Sequence, residues 1–270
     1  MEKPKYVHDG DYYENGTWYC GVCRKPLEKT IVIPAIGVSQ TNHVMCDCEQ
    51  LQYKREREKF FKEQKQIRVD NLRHMAFSDE RFKRCTFECD DGSNPTLTTI
   101  AQNYVKKFGK ALEGGKGLLL LGNVGNGKTF AAACIANALI DQGYSCMMTN
   151  FETISNVLQS CYEERYRYIE ELNSFDLLVI DDLGSERNTE YMQKGVVNTI
   201  IDNRYRACKP IIITTNLTQE EFCNPQDVDS KRIYSRIKEV CFPFECKEND
   251  RRERVMTSEE HKQWRQELRG

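Results

Sequence analysis

LLLLGNVGNGKTF, residues 118–130, is a run of apolar side chains that ends in a loop built to pack badly. Four consecutive leucines suit a strand covered on both faces. The next residues, Gly122-Asn123-Val124-Gly125-Asn126-Gly127-Lys128-Thr129, have the spacing G-x-x-x-x-G-K-[ST] of a P-loop. Glycines let the backbone curl until successive N–H groups point into one concavity, and the helix that follows adds the positive end of its dipole. A polyphosphate fills such a hollow. Lys128 is placed to reach the β and γ phosphates and the Thr129 hydroxyl to ligate Mg²⁺, with Phe130 next in the first helical turn.

Working outward, apolar runs alternate with helical patterns. GLLLL (117–121), YSCMMT (144–149), FDLLVI (175–180) and PIIITT (210–215) are strand candidates. TFAAACIANALI (129–140), residues 151–170 and NTEYMQKGVVNTIIDNRYRA (188–207) are long enough for helices. The alternation predicts an α/β fold, a parallel sheet flanked by helices. The other half of a nucleotide site is expected at the end of a second strand, and FDLLVIDDLGSE supplies it. Asp181 is placed to hold the Mg²⁺ shell and Asp182 to activate water. Asn216, ending IIITTN, offers an amide that could orient the attacking water.

The chain has 270 residues, 39% hydrophobic and 30% charged, with a net charge of −2. No stretch approaches the ~20 apolar residues of a membrane span. The opening MEKPKYVHDGDYYENG lacks a signal peptide's apolar region, so the cytoplasm is the expected compartment. A near-neutral charge gives no global attraction for nucleic acid, and any such binding must be local. Phe151, Tyr162, Arg165, Tyr166, Arg167 and Tyr168 combine aromatic and basic side chains, the pair of chemistries that single-stranded DNA needs.

Thirteen cysteines in a reducing compartment read as free thiols and a metal site. Residues 1–50 are poor in aliphatic side chains but hold Cys20-x-x-Cys23 and Cys46-x-Cys48. Two tight pairs suit tetrahedral Zn²⁺, with His43 the alternative to Cys48 as fourth ligand. Residues 51–75 contain neither Gly nor Pro, and Lys54, Glu58 and Lys62 fall at i,i+4 spacing. The expected organisation is a zinc-binding module over 1–50, a charged linker helix over 51–76 and an ATPase domain over 77–270.

GLLLLGNVGNGKTFAAACIANAL, LLVIDDLGSE, NTIIDNRY, IIITTN and RIYSRI, in this order, together with AFSDERFKRCTFE ahead of them, resemble the AAA+ ATPases of the DnaC/DnaI helicase-loader and IstB group over residues 77–256. The resemblance implies ATP with Mg²⁺, and a head-to-tail assembly, ring or open helix, with each ATP at a subunit boundary. It implies that Arg236, the second arginine of RIYSRI, reaches a neighbour's γ-phosphate, and that Arg251, or adjacent Arg252, contacts phosphate in cis. It implies helices facing DNA between the second strand and the Asp181 strand. It agrees with an N-terminal zinc module, as in DnaI-type loaders, that holds the helicase. The implied function is loading of a replicative DNA helicase onto single-stranded DNA in a bacterial or phage-infected cell. Two alternatives stand beside it: an IstB-like helper that assembles on DNA and recruits a transposase, and an adaptor that binds ATP without hydrolysing it. Many AAA+ enzymes carry Glu where this chain has Asp182, one methylene shorter, so slow hydrolysis is expected, with Glu186 the substitute base.

Overall fold

The computed structural model describes residues 4–33, 37–160, 164–184, 190–225 and 228–246. The chain divides into two compact units, Met1–Ile67 and Arg68–Gly270. The division falls inside the charged helix, not at either end of it.

In the first unit β1 (Tyr12–Glu14) pairs antiparallel with β2 (Thr17–Tyr19), and β3 (Glu28–Ile33) with β4 (Val38–His43). Asn15 and Gly16 join the first pair, both at positive φ (48° and 85°). That is the primed hairpin turn that Asn-Gly favours. Helix α1 runs Asp47–Ala76 and so begins four residues before the expected 51. Asp47 and Glu49 in its first turn complement the helix dipole. Only Val69 and Ala76 of this helix are buried.

The second unit contains α2 (Glu80–Lys83), a 3-10 turn (Phe87–Cys89), α3 (Pro95–Lys106), α4 (Phe108–Glu113), β5 (Gly117–Gly122) and α5 (Lys128–Asp141). It continues with β6 (Cys146–Asn150), α6 (Phe151–Ser160), α7 (Arg165–Ser174), β7 (Leu177–Leu183), α8 (Glu190–Arg206) and β8 (Ile211–Thr215). Helices α9 (Gln219–Cys223) and α10 (Val228–Val240) and strand β9 (Cys241–Cys246) complete the described residues. The strands form one five-stranded sheet, order β6-β7-β8-β5-β9, parallel throughout.

Strand alternation divides the core in two. Leu118, Leu120, Leu177, Val179 and Ile212 face the layer of α3 and α5. Leu119, Leu121, Leu178, Ile180, Ile211 and Ile213 face the layer of α6, α7, α8 and α10. Helix α5 is buried almost all round, which its alanines permit by letting neighbours approach closely. Arg204 of α8 is 1% exposed and donates to the carbonyls of Leu172, Phe175, Asp176 and Pro210. It thereby fixes the entries to β7 and β8.

Two expectations are corrected. The single helix expected over 151–170 is two helices, α6 and α7. A fifth strand, β9, joins the four foreseen. Its sequence CFPFEC contains Pro243, and a proline lacking N–H is tolerated on an edge strand that pairs on one side only. No helix among the described residues is long and apolar enough to cross a membrane.

Candidate functional site

The carboxyl ends of β5, β7 and β8 form one rim, the place where parallel α/β sheets bind ligands. Gly122 closes β5 at φ +132°, and a Cβ there would lie 2.4 Å from the carbonyl oxygen of Cys246. Only glycine lets β5 and β9 run this close. The same carbonyl accepts a hydrogen bond from Asn126 Nδ2 at 2.8 Å, so the loop is anchored to the last residue of β9. Asn123 and Val124 are exposed at the loop's outer turn, while Gly125 and Gly127, both at φ +84°, turn the chain into α5. Phe130 is half-buried and lines a small cavity with Asn94, Leu97 and Cys134.

Lys128 folds back over the loop. Its Nζ donates to the carbonyls of Gly122 (2.7 Å) and Asn123 (2.6 Å) and to Asn216 Oδ1 (3.1 Å). Asn216 Nδ2 in turn donates to Asp182 Oδ1 at 2.6 Å. One amide therefore bridges the loop lysine and the acid expected to act on water. Thr129 Oγ1 donates to Asp181 Oδ1 at 2.8 Å, and Thr214 Oγ1 donates to the same oxygen at 2.6 Å. Burial pushes the Asp181 carboxyl above its ordinary range, against the pull of these two hydroxyls. A hydroxyl and a carboxylate at the mouth of the loop are hard oxygen donors of the kind Mg²⁺ takes.

Adjacent acids on a regular strand point to opposite faces. Asp181 and Asp182 escape this because the pairing of β7 with β8 shifts register between Ile180 and Leu183, and Asp182 takes φ +60°. Such a bulge beside a site re-aims a side chain. Thr214 holds the bulge: its Oγ1 accepts from the Asp182 backbone N–H at 2.8 Å while donating to Asp181. The sequence reading passed over Thr214. The available signal was a second threonine in an otherwise aliphatic buried strand, where a hydroxyl needs a partner.

Arg236 lies on α10, and its Nε is 2.7 Å from Asp202 Oδ1 of α8, an ion pair without hydrogen-bond alignment. Arg251, Arg252 and Glu186 fall outside the described residues. Among the side chains read for DNA, Phe151 is 2% exposed in the core and Tyr168 packs against it, whereas Tyr166 is 84% exposed. Tyr162 lies outside the described residues.

In the first unit the sulfurs of Cys20, Cys23, Cys46 and Cys48 all lie within 4.8 Å of one another. Tetrahedral Zn²⁺ with bonds of about 2.3 Å places its sulfurs roughly 3.8 Å apart, so the four thiols fit the ion. The turn that presents the first pair is tight. Arg24 N–H donates to Cys20 O, Arg24 sits at φ +59°, and a Cβ on Gly21 would fall 2.0 Å from Gly10 O. The backbone N–H of Lys25 draws the Cys23 thiol down to about 7, while burial lifts Cys46 to about 12. His43 is not in this group. Its Nε2 is 3.2 Å from Glu49, and its ring stacks on Tyr6. Beyond the cysteines this unit's core is Leu27 packed with Trp18.

Known proteins share this fold. A crystal structure of the DnaC helicase loader superposes with a TM-score of 0.54 at 25% identity, covering 63% of this chain and all of that one (100%). The replicative helicase loader DnaI of Bacillus subtilis is 25% identical over 202 residues, 69% of this chain and 64% of that protein. The replicative helicase loader DnaC of Escherichia coli K12 is 27% identical over 144 residues, 52% of this chain and 56% of that protein. The chain thus spans less than two thirds of the length of the Bacillus subtilis and Escherichia coli relatives. Residues 45–255 match the model of the IstB-like ATP binding proteins. That match takes in the whole P-loop rim, with Asp181, Asp182, Asn216 and Arg236, and the chain belongs to this family.

Proposed function

We propose that this protein is an ATP-dependent loader of a replicative DNA helicase onto single-stranded DNA, acting as a head-to-tail assembly with ATP at subunit boundaries. The observation that carries the reading is the hydrogen-bonded chain Lys128–Asn216–Asp182 beside Thr129–Asp181, a complete set of parts for a triphosphate, in a chain whose relatives are named helicase loaders.

The loop N–H groups and Lys128 bind the phosphates, and Thr129 and Asp181 would hold Mg²⁺, which would supply neutralisation of phosphate charge. Asp182, with Asn216, orients a water toward the γ-phosphorus and takes its proton. The new P–O bond forms as the bond to the β–γ bridging oxygen breaks, and ADP leaves with that electron pair. Arg236 of one subunit meets the γ-phosphoryl held by the next, with Arg251 as the cis contact. Such a finger is worth ~10³ to 10⁵ in rate. ATP favours the assembled, DNA-engaged state and hydrolysis releases it. The four cysteines hold Zn²⁺ as the missing core of the first unit, which engages the helicase, and residues 1–50, 51–76 and 77–270 serve as module, linker and motor.

The test is reconstitution. The purified protein should raise helicase-dependent displacement of a strand annealed to a single-stranded template in the presence of ATP, and Lys128→Ala should not. No complex with the helicase and no stimulation would overturn the reading. The family description favours one second reading, a helper that recruits a transposase on duplex DNA, and binding to a transposase instead of the helicase would select it.

A further inference from the structure

A cleft between α8 and α10 lies apart from the residues of the P-loop rim. It encloses about 620 Å³ and is lined by Asn198, Asp202, Lys231, Arg232, Ser235 and Arg236. Ile233 and Ile237 turn the opposite face of α10 into the core. Among the described residues, three cations and one carboxylate give the lining a surplus of positive charge, suited to a phosphate-bearing anion from outside the chain.

Arg236 is met in this cleft by two groups. Asp202 Oδ1 meets its Nε at 2.7 Å. The Tyr205 ring lies under its plane, 5.5 Å from the guanidinium carbon to the ring centroid. Tyr205 is itself fixed, its hydroxyl donating to Glu239 Oε1 at 2.7 Å. The guanidinium is therefore approached by carboxylate at Nε and by a ring at its face, while its terminal nitrogens are the edge that binds phosphate bidentately.

We propose that Asp202 is the positioning residue for Arg236, presenting its terminal fork to the γ-phosphoryl group of ATP bound by a neighbouring copy. This rests on the shared-site reading above. A long side chain otherwise samples many rotamers, and a displacement of about 1 Å costs ~100-fold in a reaction that depends on alignment. Asp202 contributes through orientation and touches no substrate.

The experiment measures phosphate release per full-length chain against protein concentration, for wild type, Asp202→Asn, Asp202→Ala, Arg236→Ala and Asp202→Asn/Arg236→Ala. Fluorescent-ATP affinity is read in parallel. Asp202→Asn keeps the shape of the side chain and loses its charge, so it stays informative should the alanine variant fold poorly. The expected result is a fall of about tenfold or more in the turnover gained on assembly, at unchanged ATP affinity. The double variant should equal Arg236→Ala alone, because a residue acting through another has nothing left to lose. Wild-type turnover in Asp202→Asn, with the gain abolished in Arg236→Ala, would overturn the proposal and leave the shared site standing. A double variant that falls well below Arg236→Ala would make Asp202 merely structural. Undiminished gain in Arg236→Ala, or no gain with concentration in wild type, would remove the shared site and this proposal with it.

Discussion

Thr214 carries the heaviest structural duty of any side chain on the rim, and replacing it by valine isolates that duty. Valine has the same shape, so the 1%-exposed site in β8 gains no cavity. What vanishes is one hydroxyl with two partners. Its bond to the Asp181 carboxylate is charge-assisted, worth about 1.5 to 3 kcal/mol. The Asp182 backbone N–H that it satisfies is left without that acceptor, at a cost of about 1 to 3 kcal/mol if water does not enter. Returning about 0.8 kcal/mol of this for the added apolar methyl leaves a net loss of about 2 to 5 kcal/mol. At roughly 2 to 4 °C per kcal/mol for a domain of this size, the melting temperature of the second unit should fall by about 4 to 20 °C.

Thermal unfolding of wild type, Thr214→Val and Thr214→Ser checks this. Serine keeps the hydroxyl and gives up a methyl, worth only about 0.8 kcal/mol. The hydrogen-bond account therefore orders the variants serine above valine, and a pure packing account orders them the other way. The valine variant should also need more Mg²⁺ for ATP to stabilise it, since Asp181 loses one of the two donors that favour its charged form. A serine variant less stable than the valine one, with an unaltered Mg²⁺ requirement, would refute the assignment of Thr214 as the clamp on the bulge.

Further tests address the site and the cysteine centre. Burial raises the Asp181 carboxyl, so its ionisation opposes folding once the pH climbs through the folded value. Nucleotide-free Asp181→Asn should therefore melt above wild type at neutral pH, with the gap closing in acid where both are uncharged, and it should lose stabilisation by Mg·ATP; melting curves across pH decide it. Lys128→Ala, which removes the cation facing the loop carbonyls, should abolish fluorescent-ATP binding while the fold persists by circular dichroism. Elemental analysis should find one zinc per chain, lost together with the structure of residues 1–67 in Cys20→Ser/Cys23→Ser. A metal-free protein with that unit intact would remove the zinc claim, since structural zinc sites supply ~10 to 16 kcal/mol of apparent binding to segments lacking a core.

What the sequence disclosed was whatever a contiguous stretch encodes by itself. The P-loop glycines, the apolar strands and the two cysteine pairs each state their conformation within about ten residues. Strand β9 stayed hidden because its burial does not alternate: Cys241 and Cys246 are buried in the two opposite layers, Phe242 is 62% exposed, and Pro243 reads as a break. The split of α6 from α7 was hidden because residues 151–170 contain no Gly or Pro to mark it. Arg204 and Arg206 stand two apart in NRYR, yet one is encased by four carbonyls and the other is exposed, a difference decided by which helix face meets the sheet.

The site divides along the same line. Lys128, Thr129 and Asp181 are legible as candidates from local pattern because their places are set relative to a strand end. Thr214 and Asp202 do not, because each acts only through a partner more than 30 residues away, at Asp181 and at Arg236. Both are polar side chains whose partner is a charged group of the proposed machinery, and though they fall in IIITTN and NTIIDNRY, the spacing of those stretches assigns neither a role. A motif search finds the groups that touch the ligand. The groups that aim them are found only where a buried hydroxyl or carboxylate must be given a partner, and here that requirement leads from β8 to the bulge of β7 and from α8 to α10.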